Sequence, residues 1–156
     1  PVKKARLDMV VEKACELGVA LYRPVITRRT IVERMNMDRL TATMIEAAEQ
    51  CGGTYVPEVV EMEKFARVME GWDPARRIMF CDEALVTSAP SLLSGEAVGP
   101  WAIFIGPEGG FSERERAKLN SLEHSVAVSL GPRILRADTA AVAAMTVWQQ
   151  KFGDWT

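Results

Sequence analysis

The sequence predicts an α/β domain built on a mostly parallel sheet. Three observations predict it. Segments of strand character alternate with segments of helical period along all 156 residues. Two short apolar runs, residues 101–105 and 126–130, have the continuous hydrophobicity of strands buried on both faces. Each run ends in Gly-Pro ahead of a helix start, at the strand ends where open parallel sheets collect ligands.

Each element has its own local signal. Leu7, Val10, Val11, Ala14 and Leu17 share one helical face, and Gly18 is placed to close that helix. Residues 19–27 follow as a strand. Asp38 is expected to cap a second helix running to Gln50, with Leu40, Met44, Ala47 and Cys51 on its apolar side and Gly52 ending it. Residues 55–60 read as a second strand, which Pro57 pushes toward an edge because it cannot donate to a ladder. A short helix at 63–70 leads to a third strand at 77–81. Residues 83–100, rich in Ser, Ala, Gly and Pro, read as a loop around one short helix. After strand 101–105, Ser112-Glu-Arg-Glu115 is a capping box that opens a helix reaching Leu122. After strand 126–130, the last helix starts near Asp138 or Thr139, aligns Ala141, Met145, Trp148 and Phe152, and can end at Gly153. No linker divides the chain, so residues 1–156 read as one domain.

Composition narrows the function classes. With 48% hydrophobic and 26% charged residues the chain can bury a core, which sets it apart from disordered sequences. No apolar run approaches the roughly 20 residues that span a bilayer, so no membrane association is expected. The basic N-terminus has no apolar stretch behind it and is not a secretory signal. A chain that starts at Pro1 without Met is expected to be a piece of a longer polypeptide. Cys15, Cys51 and Cys81 are an odd count without metal-type spacing, and read as reduced, mostly buried thiols of a cytoplasmic protein. His124 is the one imidazole, too few for a histidine-rich metal site or a Ser-His-Asp triad; no metal is expected, and His124 itself should end a helix or face water. A net charge of −2 argues against nonspecific nucleic-acid binding. Yet Arg23, Arg28, Arg29, Arg34 and Arg39 outweigh Glu33 and Asp38 within residues 23–39, a local balance of +3. That strip is either a solvated face or a set of phosphate contacts, for which Arg forks are shaped.

The two Gly-Pro loops are the most informative feature. Gly106-Pro-Glu-Gly-Gly-Phe111 has three glycines in five positions, which lets the backbone approach a ligand closely. It lacks both the GxGxxG pattern and the Lys-Ser/Thr of a phosphate loop, so a nucleotide-triphosphate cradle is a weak reading. The second loop, Leu130-Gly-Pro-Arg-Ile-Leu-Arg-Ala-Asp-Thr139, sets Arg133, Arg136 and Asp138 near a helix N-terminus, where free N–H groups favour anions. The blander alternatives are tight turns, an N-cap at Asp138, surface salt bridges at the two arginines and core packing at Ile134 and Leu135.

Together these loops resemble the paired signature of the RsmE family, SPOUT-class enzymes that methylate N3 of a uridine in small-subunit ribosomal RNA. Lys13-Ala-Cys-Glu-Leu-Gly-Val19 and Glu46-Ala-Ala-Glu-Gln-Cys-Gly52, followed by Val56-Pro57, extend the likeness over nearly the whole chain. The resemblance implies an α/β-knot with a C-terminal trefoil knot, a homodimer built through the last helix, and S-adenosylmethionine as cofactor. It also implies an N-terminal RNA-binding barrel of the PUA type, absent from this chain. The cofactor would lie against Ile105, Gly106, Pro107, Glu108, Gly109, Gly110, Leu130, Gly131, Arg133, Ile134, Leu135 and Thr139. Two departures stand out. The family usually has Glu where Asp138 stands, and commonly Arg where Gly53 stands.

The implied chemistry is an in-line methyl displacement, in which an enzyme mainly supplies position and charge. Uridine N3 must lose its proton, a role assigned to Asp138 with Glu108 as second candidate. Arg136 and Arg133 would stabilise the developing charge or hold a flanking phosphate. Arg23, Arg28, Arg29 and Arg133 are the expected RNA contacts. Alternatives are a transfer-RNA or ribose 2′-O specificity, and a non-enzymatic RNA-binding module. The chain is expected to bind cofactor yet methylate RNA poorly without the missing domain.

Overall fold

A computed structural model of the chain describes residues 4–31, 34–85 and 99–155. The elements run α1 (Lys4–Glu16), β1 (Leu21–Tyr22), β2 (Val25–Ile26), α2 (Met37–Cys51), β3 (Glu58–Val59), β4 (Glu63–Lys64), α3 (Phe65–Glu70), β5 (Arg77–Cys81), a 3-10 turn (Glu83–Leu85), β6 (Trp101–Phe104), α4 (Glu113–Asn120), β7 (Ser125–Val128) and α5 (Ala137–Phe152). Every strand pairing among the described residues is parallel, the α/β class expected. The short helix expected inside 83–100 is partly seen as the turn at Glu83–Leu85; residues 86–98 lie outside the described ones.

The three-stranded sheet has the order β6-β5-β7. Met79 in the middle strand pairs with Ile103 on one side and Val126 on the other. The chain therefore crosses over β5 between β6 and β7, and the loops leaving those two strands diverge around the carboxyl end of β5. Such a divergence opens a crevice at the strand ends.

Helices cover both faces of β5, whose side chains alternate between them. Ile78 and Phe80 pack with Phe65, Phe111 and Leu119, from α3, the loop after β6 and α4. Met79 and Cys81 face Val128 and Ala144, on the α5 side. A further apolar cluster joins α1, α2 and α5 through Val11, Met44 and Ala141. Gln149 of α5, buried, donates from Nε2 to the carbonyl of Leu17 at 2.6 Å and accepts from Asp154 N–H at 3.0 Å. It thus fastens the end of α1 to α5.

The structure corrects several expectations. Residues 101–105 and 126–130 are not buried on both faces; β6 and β7 flank β5 and are half-buried, whereas β5 has four of its five residues buried. The expected strand at 19–27 is two short strands. Pro24 separates them, and its carbonyl accepts from Glu63 N–H at 3.2 Å, so Glu63 and Lys64 join a ladder and α3 starts two residues later than expected. Asn36, not Asp38, caps α2, its Oδ1 accepting from Arg39 N–H at 3.0 Å. Arg136, with no side-chain cap bond, precedes α5, so Asp138 lies within the first turn rather than capping it. His124 ends no helix and its Nε2 is shut off from water; it leads into β7 and its carbonyl accepts from Ile78 N–H at 2.8 Å.

The capping box at α4 is present in full. Ser112 Oγ accepts from Glu115 N–H, and the Glu115 carboxylate accepts in return from Ser112 N–H at 2.8 Å. Ser112→Ala removes one half of this exchange and is expected to cost about 1 kcal/mol of stability, measurable as a lower urea midpoint with an unchanged slope.

Candidate cofactor cleft and its arginine frame

At the carboxyl ends of β5, β6 and β7 lies an open cleft of about 570 Å³, solvent-open space included. All three strands contribute: Cys81, Asp82 and Glu83 from β5, Ile105 to Glu108 and Gly110 after β6, and Val128 to Gly131 with Arg133 to Leu135 after β7. Ala137 and Ala140 of α5 close one wall. The two Gly-Pro loops, separate in sequence, are thus brought into one site. Of the residues expected to hold a cofactor, Gly109 and Thr139 are outside the lining. Asp138 and Arg136 also stand beside the cleft rather than in its wall.

The glycines make the first loop possible. Gly110 has φ +68°, and a Cβ there would fall 1.7 Å from Glu83 Oε1. Gly110 N–H donates to the Pro107 carbonyl at 2.8 Å, closing the turn. Beneath it, Arg116 of α4 forms an ion pair with buried Asp82, Nε to Oδ1 at 3.0 Å, and lies 3.5 Å from Glu83 Oε1. Its Nη2 also donates to the Phe111 carbonyl at 3.4 Å. One guanidinium therefore ties the end of β5 to the end of the glycine loop. Removing one partner of such a buried pair leaves an uncompensated charge, the costly case.

On the second loop, Ser129 Oγ donates to the Leu85 carbonyl at 3.2 Å and receives Gly131 N–H at 3.4 Å. Ile134 is 75% exposed, so the core-packing alternative does not describe it. Arg133 and Arg136 are exposed and form no ion pair among the described residues, contrary to the salt-bridge alternative. Burial pushes the Cys81 thiol up to about 12. It stays protonated at neutral pH and is a wall of the cleft, not a nucleophile.

The basic strip meets the site at one end. Arg29 donates from Nη1 to the Gly109 carbonyl at 2.6 Å. The neighbouring Arg28 N–H is held by buried Glu115 at 2.7 Å, so the capping-box acid also anchors the arginine loop. Arg28 keeps its side chain exposed. Arg23 stands apart, on a second surface groove with Glu63, Arg67 and Glu70.

Arg6 of α1 reaches both candidate acids. Its Nη1 donates to Glu108 Oε1 at 2.6 Å, and its Nε lies 3.9 Å from Asp138 Oδ2. Asp138 is the more enclosed acid, its side chain 14% exposed against 36% for Glu108. Asp138 Oδ1 also accepts from Thr139 N–H at 3.0 Å.

Comparison with known proteins decides the family. The model of the RNA methyltransferase domain matches residues 1–149. The chain belongs to this RNA methyltransferase family. Proteins named ribosomal RNA small subunit methyltransferase E are 31% identical in Rickettsia conorii, over 92% of this chain and 59% of that protein, and 29% identical in Bacillus subtilis, over 92% and 60%. The likeness to RsmE read from the two loops is thereby borne out. A crystal structure of the Neisseria gonorrhoeae methyltransferase E bound to S-adenosyl methionine superposes with a TM-score of 0.86 at 29% identity, covering 100% of this chain and 65% of that one. The chain spans about three fifths of the length of the curated relatives it matches.

Proposed function

We propose that this chain is the catalytic domain of an S-adenosylmethionine-dependent methyltransferase acting on N3 of a uridine in small-subunit ribosomal RNA. The observation that carries the reading is the cleft itself, where both family loops meet at the ends of three parallel strands. Its lining fits the cofactor's chemistry. Ile105, Val128, Leu130, Ile134 and Leu135 offer apolar surface for an aromatic base, glycine backbone offers close approach, and Glu83 and Glu108 offer carboxylates toward a cation. When bound, S-adenosylmethionine supplies an electrophilic methyl group on a sulfonium.

The chain's own residues do the rest. Asp138 removes the N3 proton, with Glu108 as the alternative base. Arg136 at the N-terminus of α5 and Arg133 on the loop before it, without ion pairs among the described residues, stabilise negative charge on the uracil oxygens or hold a flanking phosphate. Arg28 and Arg29 contact RNA phosphates beside the cleft, and Arg23 contacts RNA from its separate groove. The base must leave any stack to reach these groups. The same reading includes the trefoil knot, the cytoplasmic setting and a homodimer through α5, which exposes Val147 beside half-buried Val142 and Ala143. Among the described residues no helix is long and apolar enough to cross a membrane.

Mass spectrometry of nucleosides from small-subunit RNA tests the reading. Deletion of the gene should abolish N3-methyluridine, and the intact gene should restore it. Unchanged N3-methyluridine with loss of a transfer-RNA or ribose methylation would move the assignment to another RNA specificity.

A further inference from the structure

We propose that Arg6 is a positioning residue that couples the two loops by holding Glu108 and Asp138 on one guanidinium; this rests on the methyltransferase reading of the cleft. Arg6 lies on α1, 102 residues from Glu108 in sequence, and the second loop's own arginines, Arg133 and Arg136, form no ion pair with either acid among the described residues. Glu108 sits at the middle of the first loop and Asp138 in the first turn of α5. Arg6 is the cation common to both acids, 2.6 Å from Glu108 Oε1 and 3.9 Å from Asp138 Oδ2. The guanidinium suits this task because its charge is spread over Nε and both Nη atoms, so one end donates to Glu108 while the other lies within ion-pair reach of Asp138.

The arrangement has a directional consequence. Without the cation, the two carboxylates would lose their shared counter-charge, and the loop carrying Glu108 would keep its ties to Arg29 at the Gly109 carbonyl and to Arg116 at the Phe111 carbonyl, neither of which reaches α5. Loop 106–111 and the start of α5 would then move independently. The proton-accepting carboxylate would lose its fixed relation to the loop that carries the cofactor. Arg6 itself needs no contact with substrate to have this effect. Its side chain is 27% exposed, consistent with a fixed strut at the rim.

The test uses the complete protein with Arg6→Gln and Arg6→Lys. Hydrogen exchange should rise in loop 106–111 and in the first turn of α5 together in Arg6→Gln, while β5 keeps its protection. In steady-state assays kcat should fall about tenfold to a hundredfold, with KM for S-adenosylmethionine within about threefold of wild type. Arg6→Lys should recover part of kcat and part of the protection at both places. Unchanged exchange in the two segments overturns the coupling, as does a kcat equal to wild type. A fall in kcat matched by loss of β5 protection and unrelieved by Lys would make Arg6 a general stabiliser and also overturn it. A wild-type protein that transfers no methyl group counts against the methyltransferase reading alone, since the exchange measurement still decides whether Arg6 couples the loops.

Discussion

Asp138→Asn should lower kcat for RNA methylation by about a hundredfold or more, the usual contribution of a positioned general base, while S-adenosylmethionine affinity changes by less than about threefold. Asn preserves the shape of Asp and can still accept the Thr139 N–H, so the start of α5 stays intact. It cannot take a proton at neutral pH. Glu108→Gln is the matched comparison. Glu108 lines the cleft but is engaged with Arg6 at 2.6 Å, which leaves it less free to accept from a substrate. Its substitution should reduce kcat by less than about tenfold, the smaller share expected of a group that orients rather than accepts the proton. Single-turnover rates on ribosomal RNA decide between the two acids. A silent Asp138→Asn alongside an inactive Glu108→Gln would transfer the base role to Glu108.

Gly110→Ala should weaken S-adenosylmethionine binding by about tenfold to a hundredfold, through two effects that add. A Cβ at φ +68° costs about 1–2 kcal/mol for an L-residue. It would also fall 1.7 Å from Glu83 Oε1, so Glu83 must swing away from Arg116 and from the cleft. Gly109→Ala provides the contrast. That position has no positive φ, and its added methyl would meet the flexible Arg29 side chain at 3.3 Å, so affinity should stay within about threefold of wild type. Calorimetric titration of both variants reads the difference. Equal losses at the two positions would show that the loop tolerates Gly110 substitution no worse than its neighbour, against the positive φ and the close approach of Glu83 at Gly110.

Much of the site was legible because its signals are local. Gly-Pro after an apolar run, a capping box within four residues and acids and arginines ahead of a helix all announce themselves in short windows. The strand ends follow from them to within two residues, β6 closing at Phe104 and β7 at Val128 where Ile105 and Leu130 were expected. Long-range partners leave no such trace. Arg6 meets Glu108 across 102 positions, and Glu115 holds Arg28 across 87. Nothing in either local sequence marks these side chains as part of the cleft. Asp82 and Glu83 were hidden differently: they follow a strand with no glycine loop, and only the β6-β5-β7 order brings that strand end between the other two. The burial expected of β6 and β7 was misplaced for the same reason. An apolar run reports its hydrophobicity, but strand order decides which strand is enclosed. At α2, Asn36 and Asp38 are both good caps in sequence, and the choice between them depends on where the chain turns into the helix.

The cleft's identity as the cofactor site is the claim on which the remaining roles depend. A crystal structure of the complete protein with S-adenosylmethionine tests it most directly. The cofactor should contact backbone of residues 105–110 and 130–135 together, with Glu83 and Cys81 at the floor. Density for the cofactor at any other place, or none at millimolar concentration in a crystal with the cleft open, would contradict the account.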